Sequence, residues 1–171
     1  MDGPDSLAVF DIDGVLADVR HRLHHVATRP KDWTAFFGAA PLDPPLPDGL
    51  AAVAAAARAG HGIVYLTGRP ERCRDDTLAW LAAHGLPAGP LHMRGDADRR
   101  PARVTKVATL RRLARRHRIA MFVDDDAAVV AAIRTAGFPV HHADWMQTRD
   151  APPNGGAQAV LFEIQEGEGR T

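Results

Sequence analysis

The chain has 171 residues, enough for one domain that buries most of its apolar surface, and its 46% hydrophobic and 25% charged composition is that of a globular protein. Its formal net charge of zero excludes a global field toward nucleic acid or anionic lipid, so a polyanion would have to meet a local patch. The lone cysteine, Cys73, excludes a disulfide framework, and no apolar run approaches the ~20 residues that span a bilayer. The acidic start, MDGPDS, lacks the basic and apolar regions of a signal peptide. The expectation is a cytoplasmic protein with no membrane association, and nothing in the sequence demands an obligate protein partner.

In chain order the elements alternate between strands and helices. Leu7–Asp11, Gly62–Leu66, Leu91–Met93, Ile119–Val123 and Phe138–His141 are short apolar runs rich in β-forming residues. Helical spacing recurs over Asp48–Ala59, Glu71–His84, Val104–His117 and Ala127–Ala136, with Gly60, Gly85 and Gly137 placed as helix-ending glycines. This alternation predicts a Rossmann-like three-layer α/β sandwich with a mainly parallel sheet. Roughly 35 residues separate the first strand from the helix at Asp48, where an ordinary connection takes ~2–6. Within them Val19, Leu23 and Val26 recur at helical spacing, KDWTAFF suggests a second short helix, and PLDPPLP forms a stiff return. The reading is a core over residues 1–150 with a small helical cap inserted at about 17–47, then a C-terminal extension over 151–171. That extension holds AVLFEI as a short docking element and is partly disordered toward EGEGRT.

Ligands bind at the carboxyl ends of strands in such sheets, and here those ends are polar. The first strand runs into Asp11-Ile12-Asp13-Gly14, the second into Thr67-Gly68-Arg69, and the fourth into Asp124-Asp125-Asp126. Lys106, one of two lysines, stands at the same edge near the start of a helix. Its angular position is close to Leu110 and Leu113 and opposite Arg111, Arg112, Arg115 and Arg116, so it is expected to lean inward. Carboxylates at the end of a buried strand are costly to desolvate. Asp11 and Asp13 point to one side of an extended chain. With Asp124 or Asp125 they give an oxygen-only site that favours Mg²⁺. Phosphoryl transfer suits this set. One aspartate can attack phosphorus, and the other can protonate the leaving alkoxide and later take a proton from water. The Thr67 hydroxyl, the Gly68 N–H and the Lys106 charge can meet the phosphoryl oxygens.

DIDGVL, YLTGR, Lys106 and VDDD, in this order, resemble the four motifs of haloacid dehalogenase (HAD) superfamily phosphatases. The resemblance covers about residues 7 to 145. It implies that Asp11 is the nucleophile and Asp13 the general acid/base, an acid that the phosphatases carry and the dehalogenases do not. It also implies Mg²⁺ held by Asp11, by the backbone carbonyl of Asp13 and by an acid of the last motif, Asp125 directly with Asp124 in support. Val15 stands where that family often has threonine. A narrower likeness runs through DVRHRLHH, KDWTAFF, AGHGIVYLTGRPE and LHMRGDADRRPARVTKVATL. These stretches are similar to the 3′-phosphatase domain of phage-type polynucleotide kinase-phosphatases and its bacterial relatives. It implies that Arg69 helps hold the phosphate and that the substrate is a phosphomonoester such as a DNA or RNA 3′ end, or a nucleotide. The chain has no phosphate loop of a kinase.

Other residues have plainer readings. His21 and His25 are four apart but lack a cysteine or acid at ligand spacing, which argues against zinc. Arg20 or His24 would face substrate from the cap. RRLARRHR reads as a solvated helix face, whereas Arg94, Arg99, Arg100 and Arg103 follow the third strand at the active rim, where they could meet a nucleic-acid backbone. Asp126 reads as a helix N-cap, Cys73 as structural, and the tryptophans as packing residues, with Trp33 placed to stack on a base. Two rivals stay open on the residues alone. One is a sugar-phosphate phosphatase. The other is a phospho-accepting signalling domain resembling response-regulator receivers, whose acids and threonine come in a different chain order.

Overall fold

The computed structural model describes residues 4–148. Five strands form one sheet: β1 Ser6–Phe10, β2 Gly62–Pro70, β3 Leu91–Arg94, β4 Arg118–Asp124 and β5 Val140–His142. Their order is β3-β2-β1-β4-β5 and every pairing is parallel. Seven helices accompany them among the described residues: α1 His24–Ala27, α2 Trp33–Gly38, α3 Pro47–Arg58, α4 Arg74–Ala83, α5 Ala102–Leu113, α6 Ala127–Thr135 and α7 Trp145–Thr148. Among the described residues no helix is long and apolar enough to cross a membrane. The extension expected at 151–171 lies outside the described residues.

Alternation along the strands splits the core into two layers, because successive side chains of a strand point to opposite faces. Ala8 and Phe10 of β1, with Ile63 and Tyr65 of β2, pack against Val53 and Ala56 of α3 and Trp80 and Leu81 of α4. Leu7, Val9, Val64 and Leu66 face the other way and meet Ala102 and Leu110 of α5 and Val129 and Ile133 of α6. All five residues of β1 are buried, as expected of the central strand of a sheet covered on both faces. The expected Rossmann-like three-layer sandwich is therefore the fold.

Two boundaries differ from the expectation. The second strand continues to Pro70, so Thr67, Gly68 and Arg69 lie within β2, across a register irregularity with β3 between Leu66 and Pro70. Thr-Gly-Arg carries no apolar strand pattern, and the β3 pairings of Leu66 and Pro70 on either side bracket it within the strand. The segment Glu71–His84 divides into a 3-10 turn, Glu71–Cys73, and α4, with Asp75 and Asp76 in the first turn where the helix dipole favours acids. Asp126 caps α6 as anticipated, accepting from the Ala128 and Val129 N–H groups.

The insert leaves and rejoins the core at one neck. Asp18 N–H donates to the Pro44 carbonyl at 2.8 Å, and Leu46 N–H donates to the Leu16 carbonyl at 2.7 Å. Val19, Leu23, Val26 and Phe36 form a small core of its own, with Trp33 and Phe37 packed on it. Its helices are single-turn pieces, and Arg20–Arg22 is a 3-10 turn, so the Val19–Val26 periodicity marks a buried stripe rather than one continuous helix.

α3 is seated directly on the loop that follows β1. A Cβ on Gly49 would overlap the Val15 carbonyl oxygen, backbone that cannot swing aside. Gly49→Ala should therefore push α3 off that loop and cost about 1–3 kcal/mol, as overpacking does. Chemical denaturation of the variant should show a lower midpoint; an unchanged midpoint would mean the close approach is not a constraint.

Candidate active site

β1 lies where the strand order changes direction, and β4 is its neighbour. The carboxyl ends of these two strands flank the crevice in which such sheets bind ligands. Asp11 is the first residue past β1. Its N–H donates to the Val123 carbonyl at 2.9 Å, and Ile12 N–H donates to its Oδ1 at 2.8 Å. Asp124 closes β4, and its Oδ1 accepts from Asp126 N–H at 3.0 Å. Lys106, on α5, reaches between them: its Nζ donates to Asp11 Oδ2 at 2.8 Å and to Asp124 Oδ2 at 2.6 Å. All three side chains are buried. The inward lean of Lys106 expected from its helical position is the geometry found.

Asp125 completes a cluster in which carboxylate oxygens of Asp11, Asp124 and Asp125 lie within 4.8 Å of one another. Three buried carboxylates thus stand beside one ammonium, which donates to two of them. Burial, with the charge of Asp124 adding to it, outweighs the pull of Lys106 and raises the Asp11 carboxyl to about 7. Asp125 is raised well above the carboxylate range by burial, then by the charges of Asp124 and Asp11. Burial would lower the Lys106 ammonium, but Asp11 and Asp124 outweigh it and raise it. The charge deficit and the hard oxygen donors fit a divalent cation of the Mg²⁺ kind, which Asp11, Asp124 and Asp125 could hold. Gly14 leaves room for the cluster. It adopts φ of +77°, and a Cβ there would overlap Asp125 Oδ2.

Asp13 is turned to a second cluster. Its Oδ1 accepts from Arg22 Nη2 at 2.8 Å and from Arg69 Nε and Nη2 at 2.9 and 2.6 Å. Burial would raise its carboxyl, but Arg22 and Arg69 outweigh it and hold it below the usual range. Asp43, at the return of the insert, joins both arginines: Arg22 grips it through Nε and Nη2 at 2.7 Å each, and Arg69 Nη2 reaches it at 2.9 Å. His21 Nε2 lies 2.7 Å from Asp43 Oδ1, and Trp80 Nε1 donates to the Asp43 carbonyl at 2.8 Å. The Arg22 guanidinium also lies 4.2 Å from the Phe36 ring centroid.

The remaining sequence candidates are distributed along the same rim. Thr67 is buried, and its Oγ1 accepts from Arg69 N–H at 3.2 Å. Gly68 is half-buried, with nothing within 4 Å of where a Cβ would stand. Arg94 is buried at the end of β3 and lines a cavity of about 330 Å³ together with Thr67, Lys106, Arg100 and Arg112. Arg103 is half-buried on α5 and is not part of that lining. Of the cap residues expected to face substrate, Arg20 pairs with Asp18, and His24 Nδ1 lies 2.9 Å from the His21 carbonyl. The cap cation that reaches Asp13 is Arg22. Sequence reasoning missed both Arg22 and Asp43, although position 22 lies three after Val19 and four before Val26, on the buried stripe.

Residues 5–145 match the family model of the polynucleotide kinase PNKP phosphatase domain. No curated protein matches the chain. Among solved structures, a chain of the Pnkp1/Rnl/Hen1 RNA repair complex aligns at 21% identity and TM-score 0.68, over 83% of this chain and 44% of that one. The chain thus spans less than half the length of that relative. The class C acid phosphatase of Bacillus anthracis with tungstate bound aligns at 14% identity and TM-score 0.60, over 97% and 80% of the two chains. The D,D-heptose 1,7-bisphosphate phosphatase of B. bronchiseptica aligns at 18% identity and TM-score 0.50, over 94% and 99%. Likenesses at these identities establish the shared fold.

Arg22 is fully buried between two carboxylates, so Arg22→Met should leave Asp13 and Asp43 to share the Arg69 guanidinium and cost roughly 3–5 kcal/mol. Equilibrium urea unfolding should read that loss. A change of under about 1 kcal/mol would mean that water replaces the guanidinium and the cluster is not structural.

Proposed function

The chain belongs to the polynucleotide kinase PNKP phosphatase-domain family of HAD-type phosphatases, and from that premise we propose that it is a Mg²⁺-dependent phosphomonoesterase acting through an aspartyl-phosphate on Asp11. The observation that carries this reading is Lys106 pinned between buried Asp11 and Asp124 beside Asp125. We read residues 1–150 as the phosphatase core with the cap at about 17–47, and the compartment as the cytoplasm.

In the proposed reaction a carboxylate oxygen of Asp11 attacks phosphorus, forming the acyl-phosphate bond as the ester P–O bond breaks. Asp13, ionised at rest, takes up the proton that a monoanionic phosphate ester brings in and passes it to the departing alkoxide. Its arginine bonds all land on Oδ1, so Oδ2 is the oxygen that exchanges the proton. In the second half-reaction Asp13 takes a proton from water, which attacks phosphorus, releases inorganic phosphate and regenerates Asp11. The Thr67 hydroxyl and the Gly68 N–H donate to the phosphoryl oxygens, and Lys106 offsets their charge. Arg69 orients Asp13 from β2 while Arg22 does so from the cap. When bound by Asp11, Asp124, Asp125 and the Asp13 carbonyl, Mg²⁺ supplies positive charge that lets the nucleophile ionise and screens it from the incoming phosphate.

The substrate class we assign is a nucleic-acid 3′-phosphate end or a nucleotide. The family match supports it, as do the small cap and the arginines beside the cavity.

Mg²⁺-dependent phosphate release should be compared across a 3′-phosphorylated oligonucleotide, a 5′-phosphorylated one, mononucleotides and sugar phosphates. The 3′-phosphorylated oligonucleotide or a mononucleotide should be preferred; preference for sugar phosphates would overturn the nucleic-acid reading. Asp11→Asn should lower turnover by more than about a thousandfold with the circular dichroism unchanged, and full activity would refute Asp11 as nucleophile. Mg²⁺ should raise the unfolding midpoint of the wild type, by the equivalent of about 2.7 kcal/mol at a hundred times its Kd. It should do so far less for Asp125→Asn, and equal rises would place the cation elsewhere.

A further inference from the structure

The cavity between the end of β3 and the outer part of α5 belongs to neither charge cluster, yet it opens onto both Thr67 and Lys106. Its walls carry three guanidinium groups, Arg94, Arg100 and Arg112. The only acid in the lining is Asp98, and Arg100 already holds it, with its N–H and Nε at 3.0 Å from Oδ1 and its Nη2 at 2.6 Å from Oδ2. The lining is therefore strongly positive in a chain whose net charge is zero. Leu66, Met93 and Ala108 add apolar surface to the same lining. Such a lining suits an anion joined to a compact organic group. The volume of about 330 Å³ is at the small end of ligand clefts, room for one such unit rather than a stretch of polymer.

We infer that this cavity is a second-phosphate subsite, in which Arg94, Arg100 and Arg112 hold the phosphate one nucleotide unit away from the phosphate being cleaved. The inference rests on the phosphatase reading above and adds to it a selection rule: the enzyme prefers substrates that carry two phosphates. Thr67 and Lys106 line the cavity and also border the Asp11 site, so this pair of residues links the two places. Arginine suits this task because its planar fork meets phosphate oxygens in pairs. The organic part of the unit rests on Leu66 and Met93. The second phosphate has two sources with the same chemistry: the phosphodiester that precedes a 3′-phosphorylated polynucleotide end, or a second phosphomonoester on a small bisphosphate.

Binding separates this inference from the catalytic one. Using Asp11→Asn to prevent turnover, titration calorimetry in Mg²⁺ should compare four ligands: adenosine 3′-monophosphate, adenosine 3′,5′-bisphosphate, a 3′-phosphorylated dinucleotide with a free 5′ hydroxyl, and fructose 1,6-bisphosphate. The adenosine bisphosphate and the dinucleotide should bind about tenfold or more tightly than the monophosphate, the size of one charge-assisted pair. Fructose 1,6-bisphosphate binding as tightly as the dinucleotide would move the source from a polynucleotide to a small bisphosphate and overturn the nucleotide-unit spacing. Arg112→Ala in the same background should reduce the tenfold preference to about threefold or less, and Arg112→Glu should erase it. Arg112 is exposed, so these variants should fold, and Arg100→Ala gives an independent second reading. Equal affinity for one- and two-phosphate ligands would overturn the subsite, as would equal loss on both in the arginine variants. Failure of the wild type to release phosphate with the two-phosphate preference intact would overturn the catalytic reading and support the subsite.

Discussion

The structure turns on one buried ammonium. Lys106 Nζ lies 2.8 Å from Asp11 and 2.6 Å from Asp124, at the carboxyl ends of two adjacent strands. Removing a carboxylate from water is costly unless it gains a partner and hydrogen bonds. Lys106 is one such partner, but it is one charge against three carboxylates, and burial therefore drives Asp11 and Asp125 upward. The surrounding fold exists to make that expense tolerable. Two apolar layers flank β1, the Ile12 N–H binds Asp11, the Asp126 N–H binds Asp124, and Gly14 leaves room for Asp125.

Two residues along the chain, the opposite arrangement holds. Asp13 faces two guanidinium groups and is held ionised below its ordinary range. Neighbouring carboxylates on one loop are thereby given different environments, one short of positive charge and one rich in it. Divergent environments of this kind are how a site assigns different roles to the same residue type. The second cluster also joins three parts of the molecule, because Arg22 comes from the insert, Asp43 from its return and Arg69 from β2. The cap is thus fastened to the core through the very residues that surround Asp13.

Much of this was legible in the chain before folding. Continuous apolar runs rich in β-forming residues placed the strands, and helical spacing placed Lys106 on the inner face of α5, because local side-chain direction follows backbone geometry. Asp11, Thr67, Lys106, Asp124 and Asp125 were singled out because strand ends converge on one rim in a parallel sheet. Arg22 and Asp43 were not. Arg22 sits in a histidine-rich run that suggested its neighbours Arg20 and His24, and Asp43 is hidden among prolines that read as a linker. Neither has a local pattern that reveals its partner 21 residues away. The extension of β2 through Arg69 was equally invisible, since it depends on pairing with β3 rather than on the propensity of Thr-Gly-Arg.

The sequence by itself determined the sheet, its helical layers and the set of acids at its rim. Each of these follows from short-range periodicity, and a parallel sheet has few ways to arrange the result. The tertiary structure alone decided which cation faces which acid. Lys106 went to Asp11 and Asp124, while Arg22 and Arg69 went to Asp13 and Asp43. It also brought Arg94, Arg100 and Arg112 around one cavity, from a strand end, a loop and a helix. Such pairings are set by through-space charge and by what each burial must offset, and those quantities do not exist until distant segments meet.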